Sequence, residues 1–556
     1  MTRAGILWLA ALALVLAGCA DEQLKRLGDI CARADECASG RCDERVCKAS
    51  DPVGLGQRCG QALQCRSERC LDGQCVEGSR PPGAPCADDQ QCQSGRCVAL
   101  VCAGAEVDAA PPMRDAGPDA APDAGAEHPS HLWSKRIGGP IDNQAWAIAV
   151  DHNGNVTIAG AFAGTVDFGG GRRTSAGGSD IYLASYDADG HHRWSKRFGA
   201  GGEEVAHGLA VDGAGHLYLT GSFDSSSLEM GGGPLPGSDG DATVVVARFD
   251  AQGNHRWSHS YGGPMTDEGF DITAAADGTS YITGYCQDGL DFGQGPLIHL
   301  GMTDAFVASF DADGNHRWST GLGGNEVDFG KAVTTGDGQV YVAGHFHGTV
   351  DLGEGDVTAA GAMDVFLSAF ATDGSYRWSR TFGGGSQDYG NGLAAGEGVV
   401  ILAGASESLS IDYGGGPLVS KGGNDALVAV LGSDGSHRWS GRFGTLFNDA
   451  LAGVRATANE MVLVGTSEGD GLDFGGGHLP HAGAFDIHLV RLTYEGGHVW
   501  SRRFGGARED AALALALDAA DNVHAVGTTA SPLIDLGGGP LSSAGVDDII
   551  LFKLAP

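Results

Sequence analysis

Acidic side chains return along this chain at a spacing of 60 to 63 residues. Asp180, Asp241, Asp304, Asp364, Asp425, Asp486 and Asp548 each precede an apolar run, and Asp167, Glu229, Asp291, Asp351, Asp412, Asp473 and Asp535 each open a Gly-rich phrase. A third set, Glu204, Asp267, Asp388, Asp449 and Asp510, stands before another apolar run, with Asn143 in the first copy and the acid displaced to Asp328 in the fourth. Clustered carboxylates bind hard cations, so the chemistry on offer is calcium binding, one site per copy, centred on the first set from Asp180 to Asp548. The competing reading is structural, because short acidic side chains accept backbone N–H bonds at turns and strand starts. Seven equal stations suit a repeated scaffold better than a single function, which favours the structural reading. No cofactor is required, and calcium is the ion the pattern could hold.

Other residues break the repetition. His345 and His347 form an HFH phrase without counterpart in the other copies. At i and i+2 of an extended segment they share one face, near Asp351, and offer a metal pair; the alternative is two incidental surface histidines. Histidine also recurs two residues before a repeated Trp, at His131, His192, His255, His316, His437 and His498, with Tyr376 in the odd copy. One per copy on an outer strand, these cannot converge on a metal, and packing accounts for them better. Cys286 is a leftover thiol, either buried or available to a partner, and burial is the favoured reading. No nucleophile elbow, phosphate loop, zinc-protease helix or dinucleotide fingerprint occurs.

The elements that position these residues follow from a recurring Trp-Ser phrase at Trp133, Trp194, Trp257, Trp318, Trp378, Trp439 and Trp500. Seven copies of a unit fill residues 131–556, and a period this long signals an array, a solenoid or a propeller. Each copy holds four strand candidates, which in the first copy are 145–150, 155–162, 180–187 and 192–198. Turns such as DHNGN and DADG between them argue an antiparallel meander. The third strand (VVVARF, VFLSAF, IILFKL) is apolar at nearly every residue and so must be covered on both faces. Four-stranded sheets covered on both faces and repeated in series are propeller blades. The first copy begins at its Trp strand, 131–137, and the last stops after its third strand, 549–554, so each end supplies what the other lacks. The fold class expected is therefore all-β: a seven-bladed β-propeller of four-stranded antiparallel blades, closed by the N-terminal Trp strand. In such a meander the three acidic stations lie at the same end of the ring.

Ahead of the ring, residues 31–102 hold Cys31, Cys37, Cys42 and Cys47; Cys59, Cys65, Cys70 and Cys75; and Cys86, Cys92, Cys97 and Cys102. Each block reads C-x5-C-x4-C-x4-C, giving modules at 31–47, 59–75 and 86–102. Units this small have almost no core and need staples, so two disulfides per module are expected, with three connectivities open in each. Tetrahedral zinc is the rival, though it usually takes closer pairs. Residues 103–130 are rich in Pro, Ala and Asp and read as a stiffened linker. Residues 1–18 carry an Arg and then an apolar run at 6–17, too short to span a bilayer, and read as an export signal.

Two resemblances extend this reading. The units resemble the bacterial β-propeller repeat of surface and secreted proteins, with its D-x-x-G-N-x-Y-V-x-G phrase, here DHNGNVTIAG, DGAGHLYLTG and GDGQVYVAG. That resemblance implies architecture and carries no activity; the fifth copy departs from it, with AAGEGVVILAG. The run Leu-Ala-Gly-Cys resembles the lipobox of bacterial lipoproteins, which implies that Cys19 is lipidated and that 19–30 is the anchored start of the mature chain. Ala20, where Asp would favour the inner membrane, implies the outer membrane. The cysteine blocks are loosely similar to Dickkopf-type or EGF-like modules.

The formal net charge of -35 excludes a nucleic-acid partner, which wants a basic face. The expected function is a membrane-anchored, exported binding, scaffold or adhesion module, a monomer without catalysis, taking a protein or glycan ligand at a propeller face. The alternatives are a propeller-type enzyme acting on extracellular polysaccharide, which would need a distinctive acid–base cluster near the axis, and a purely structural envelope protein. Fold alone does not choose among them.

Overall fold

The computed structural model describes residues 129–556 apart from Asp239, together with three short strand pairs in the N-terminal region. Met1–Ala124 and Gly125–Pro556 are separate compact units. In the first, Cys42–Asp43 pairs with Val46–Cys47, Cys70–Leu71 with Gln74–Cys75, and Cys97–Val98 with Val101–Cys102. The third and fourth cysteines of every module thus stand opposite one another on adjacent strands. The leader 1–18, Cys19, the segment 19–30, the disulfide pairing and nearly all of the linker lie outside the described residues.

The second unit is a seven-bladed β-propeller. Each blade is a four-stranded antiparallel sheet, and in six of the seven its strands follow one another in the chain, as the hairpin turns require. Its inner strands are Asn143–Val150, Glu204–Val211, Glu268–Ala274, Asp328–Gly336, Asp388–Gly396, Asp449–Ala456 and Asp510–Leu517. Each inner strand touches the next, and the seventh touches the first, so they encircle an axis. No helix occurs among the described residues.

Apolar side chains collect between blades. Seven separate cores are found, one in each gap, including that between the last blade and the first. The third strands, such as Asp304–Phe310 and Asp548–Leu554, are buried at every residue because cores lie on both sides. Closure runs through the N-terminal strand as expected: His131–Ile137 pairs with Asp548–Leu554, Ile137 opposite Ile549 and His131 opposite Leu554. Ala555 N–H donates to Ser130 O at 2.8 Å, and Arg502 Nη1 to Pro129 O at 3.0 Å.

The repeated residues hold blade to blade. Trp133, Trp194, Trp257, Trp318 and Trp378 each donate their indole N–H to a turn carbonyl of the following blade, at 3.0 to 3.1 Å. Each also lies against the glycine of that turn, Gly190 beneath Trp133 for example, where φ is 82°. Trp439 lies against Gly496 of the next blade's turn in the same way, and Trp500 differs. Its following blade is the one made from both chain ends, which has no such turn, and its Nε1 is buried without a partner. The recurrent histidines lie over the glycine triplets: a Cβ on Gly170 would come within 2.2 Å of His192 Cε1, and one on Gly538 within 2.2 Å of His131 Cε1. Histidine and glycine triplet are therefore one packing unit.

Two outcomes follow from this arrangement. A chain beginning at residue 139 lacks the closing strand, leaves the edge of Asp548–Leu554 unpaired, and should melt earlier and self-associate; light scattering during a thermal melt checks this. Trp257 and Trp500 are both buried, but only Trp257 has an indole partner. Trp257→Phe should therefore cost about 1 kcal/mol more than Trp500→Phe in denaturant unfolding.

Candidate functional site

The connections from second to third strand, and from outer strand to the next inner strand, share one end of the ring, here called the upper face. The acids that open the third and inner strands are there; those of the Gly-rich phrases are not, because each such phrase folds down the outer edge and sets its acid beside the histidine or tyrosine that starts the outer strand, as Asp167 stands by His192. In six blades the carboxylate that starts the third strand accepts the N–H of the residue four positions earlier, at 2.8 to 3.0 Å: Asp180, Asp304, Asp364, Asp425, Asp486 and Asp548. An Arg three residues past the repeat Trp joins four of them. Arg136 reaches Asp548 and Arg442 reaches Asp425 at 2.7 Å, Arg503 reaches Asp486 at 3.1 Å, and Arg197 binds Asp180. Asp241 is half-buried at the same station in blade 2.

The inner-strand acids behave alike. Glu204, Asp267, Asp328, Asp388, Asp449 and Asp510 each accept an N–H from four residues back, at 2.6 to 3.0 Å. Asp328 is not displaced, contrary to the sequence reading. It opens its strand opposite Phe346, as Glu204 opens its own opposite Phe223. Each acid of the Gly-rich phrase accepts two glycine N–H groups, as Asp167 does from Gly169 at 2.8 Å and Gly171 at 3.0 Å. Apart from Asp241, the acids of all three sets accept backbone N–H groups, and Asn143 instead donates its amide to Ile141 O and Asp547 O. Among the described residues, the group in which three metal-ligating atoms converge is Asp187, Asp189 and His191, in a lower-face hairpin turn.

His345 and His347 part company, because the strand ends at Phe346. His345 is buried between the rings of Phe329 and Tyr389, at 5.4 and 5.3 Å, and burial pulls its pKa down to about 3. His347 lies beyond the strand end with Nδ1 3.7 Å from Glu326. Cys286 is buried, with Sγ 3.6 Å from Asp304 O.

The asymmetry of the ring is concentrated on its axis. Three residues past the acid that opens each inner strand, a β-bulge presents Trp146, His207, Phe270, Lys331, Asn391, Ala452 and Leu513, seven different residues at seven equivalent positions. Rings meet there across blades, Trp146 with His207 at 5.7 Å, His207 with Phe270 at 5.5 Å and Tyr285 with Phe329 at 5.2 Å, and within the third blade, Phe270 with Tyr285 at 5.4 Å. Lys331 Nζ lies 3.7 Å from the centre of the Phe270 ring. Glu268 Oε2 is 3.7 Å from His207 Nε2. Deeper along the strands, Asp271 occupies a station held by Ala or Gly in the other six blades, and Arg455 one held by Ala or Thr.

Desolvation governs the electrostatics of this cluster. Burial lowers Lys331 to about 8, partly offset by Glu268, and lowers His207 to about 3 with help from Lys331. Burial raises Glu268, opposed by a Tyr285 hydrogen bond and by Lys331, and raises Asp271 to about 6, opposed by the Val333 N–H and by Arg455. Acids, bases and aromatic rings from five blades thus gather in one partly dry place near the axis, a chemistry that binding and catalytic sites share. No repeat copy contains this cluster by itself. Its sequence signal is a column that holds a different residue in every copy, next to columns kept to small residues, such as Ala147, Gly208, Ala332, Gly392, Gly453 and Ala514.

The upper face also carries most of the exposed apolar surface. Of the thirteen large apolar side chains exposed among the described residues, only Leu132 and Val499 belong elsewhere, on outer strands. The other eleven stand on upper-face connections, with Leu446 78% and Leu409 84% exposed.

No protein-family model matches the chain. It is similar to the regulatory protein FlaEY of Caulobacter vibrioides, at 24% identity over 374 residues covering 63% of this chain and 38% of that protein. It is also similar to an uncharacterized WD repeat-containing protein, L264, of Acanthamoeba polyphaga mimivirus, at 20% identity over 475 residues covering 72% of this chain and 31% of that protein. The chain therefore spans about a third of the length of these curated relatives. Among solved structures it is similar to the β-propeller domain of the Trilobed protease from Pyrococcus furiosus, with TM-score 0.37, 7% identity, and coverage of 74% of this chain and 94% of that one.

The buried acids impose a pH dependence. Burial pushes Asp267 and Asp328 up to about 7, with Asp288 adding to the effect on Asp267 and Asp304 to that on Asp328. Carboxyls raised on folding take up protons, so their contribution is complete below about pH 4 and is lost as pH rises through about 7. Asp328→Asn, which cannot ionise, should gain stability relative to the parent across that window, on the order of a few kcal/mol. Denaturant melts at intervals of pH check the sign and size.

Proposed function

We propose that this chain is an exported lipoprotein of the bacterial envelope, held by a lipid on Cys19 and carrying a propeller of the bacterial surface-repeat type that binds a partner without catalysis. Residues 1–18 direct export, the three four-cysteine modules are disulfide-stapled spacers, and the Pro/Ala/Asp linker sets the ring off from the membrane, with Ala20 favouring the outer one. The single observation that carries the binding reading is that eleven of the thirteen exposed large apolar side chains among the described residues stand on the upper-face connections. Apolar side chains exposed mainly on one face mark an interaction surface. Its partner is a protein or a glycan. The carboxylates on the same face make a cationic protein segment the better match, with binding that weakens as salt rises.

A second reading has its own observation. The axial grouping of Glu268, His207, Tyr285 and Lys331 is an acid–base cluster of the kind that an enzyme acting on extracellular polysaccharide would need.

One experiment separates the two. The propeller is presented to arrays of glycans and envelope proteins, and the same preparations are assayed for turnover on polysaccharides. Leu446→Ser and Phe447→Ser should each weaken capture by about tenfold, whereas Val499→Ser should leave it unchanged. Capture indifferent to the upper-face changes would remove the binding reading. Turnover that disappears in Glu268→Gln would establish the enzymatic one.

A further inference from the structure

The upper face is not uniformly apolar. At the boundary of blades 1 and 2 it is interrupted by a cavity of about 430 Å³, lined by residues 200–202, 224–227 and 240. Pockets of this size hold small ligands. Residues 200–202 lead from the outer strand of blade 1 into the inner strand of blade 2, and residues 224–227 begin the connection after the second strand of blade 2.

The cavity exists because blade 2 keeps glycine and serine where sister blades project side chains. Counted back from the residue that opens each inner strand, Gly202 shares its station with Ile141, Met265, Glu326, Ser386, Phe447 and Arg508, and Gly201 shares its own with Leu446. Counted back from the buried Leu228, Ser226 stands where blade 5 has Leu409, and Ser227 where blade 7 has Leu533. The apolar residues among these sisters are all exposed on their own blades. At Gly201 no atom lies within 4 Å of where a Cβ would be, so that station opens on free space. Gly202 is needed by the cavity itself, since a Cβ there would fall 1.9 Å from Asp224 Oδ1.

The polar groups around this space are only partly engaged. Asp224 Oδ1 accepts the Glu203 N–H at 2.6 Å, which fixes the carboxylate against the neighbouring loop. Ser225 Oγ accepts the Gly202 N–H at 2.9 Å and donates to Glu204, tying the two loops together. Asp224 Oδ2 and the exposed hydroxyls of Ser226 and Ser227 have no hydrogen-bond partner among the described residues. No basic side chain lines the cavity.

We propose that this cavity binds the hydroxyl groups of a neutral sugar residue, which donate to Asp224 and exchange hydrogen bonds with Ser226 and Ser227. The open lone pairs of the carboxylate suit adjacent O–H donors, serine hydroxyls bond in both directions, and glycine walls let a sugar ring approach the backbone. An anion would meet Asp224 with no counter-charge. A metal ion would find one carboxylate, and among the described residues three metal-ligating groups converge only elsewhere. A lone ammonium would engage Asp224 and leave the serine side of the cavity unfilled. The site differs in chemistry from the apolar surface of the same face and goes beyond that reading.

The test is calorimetry on the full-length protein with maltotriose, cellotriose, mannotriose and tri-N-acetylchitotriose, against trigalacturonate and ethylammonium as charged controls. At least one neutral trisaccharide should bind at least about tenfold more tightly than either control. Gly201→Leu places in the cavity the side chain that blade 6 carries at the same station, and should weaken this binding by about tenfold or more while the melting temperature stays unchanged. Asp224→Asn should also weaken it by about tenfold, with circular dichroism confirming the fold of both variants. The inference is overturned if no neutral trisaccharide binds up to about 10 mM, if either control binds as tightly, or if either folded variant binds as the parent does. Leu446→Ser and Phe447→Ser, on blade 6, score capture by the apolar surface, so failure of the cavity and failure of the binding reading are distinguishable.

Discussion

A propeller blade has two apolar faces and no interior of its own, and everything else in this ring follows from the need to cover both. The apolar side chains of each sheet reach into the gaps on either side, where they meet those of its neighbours in seven shared cores. A chain of blades left open would expose one face at each end. Closing the ring removes both, and making the last blade from the two chain ends couples closure to strand pairing. The hydrophobic contribution, at about 25 cal/mol per Å² buried, is thus realised almost wholly between repeats.

That constraint explains the polar residues too. Connections leaving the upper face must turn sharply between buried strands, which leaves backbone N–H groups needing acceptors. Acids at strand starts and at the Gly-rich phrases supply them, in the same geometry from blade to blade. Burying so many carboxylates close together has an electrostatic consequence. Asp304 raises Asp328, and Asp425 raises Asp449, because an acid opening one blade's third strand faces the acid opening the next blade's inner strand. The arginines of the WSKRF-type phrases answer half of this ring, which accounts for basic residues at that position in an acidic chain.

Much of this was legible in the sequence. Blade number, the closing strand and the double burial of the third strand follow from periodicity and from the mismatch of the two ends, all of them local or end-to-end properties. The axial cluster was not legible, because Trp146, His207, Phe270 and Lys331 are about 60 residues apart in sequence and meet only when inner strands converge. A search for catalytic groups within one copy passes over them. Asp328 looked displaced because the residues around it differ from those of its sister acids, whereas its spacing from the preceding Gly323 does not. Strand alternation placed His345 and His347 together on the assumption that the strand continues past Phe346, and it stops there.

Repetition and function then divide the molecule by radius. Toward the rim, equivalent residues do equivalent work: Trp on the next blade's turn, His on the glycine triplet, Asp on the backbone. Toward the axis the seven strands come close enough for single residues to interact across blades, so one substitution per blade creates a composite surface that no blade holds alone. The scaffold tolerates this because the inner edge carries little of the shared cores. It still charges a penalty, visible in a Lys lowered to about 8 and an Asp raised to about 6, both by burial. Asp271, a carboxylate where six sister strands keep alanine or glycine, is held by the N–H groups of Ile272 and, across the blade boundary, Val333, so it is sustained by a contact that exists only once neighbouring blades have docked.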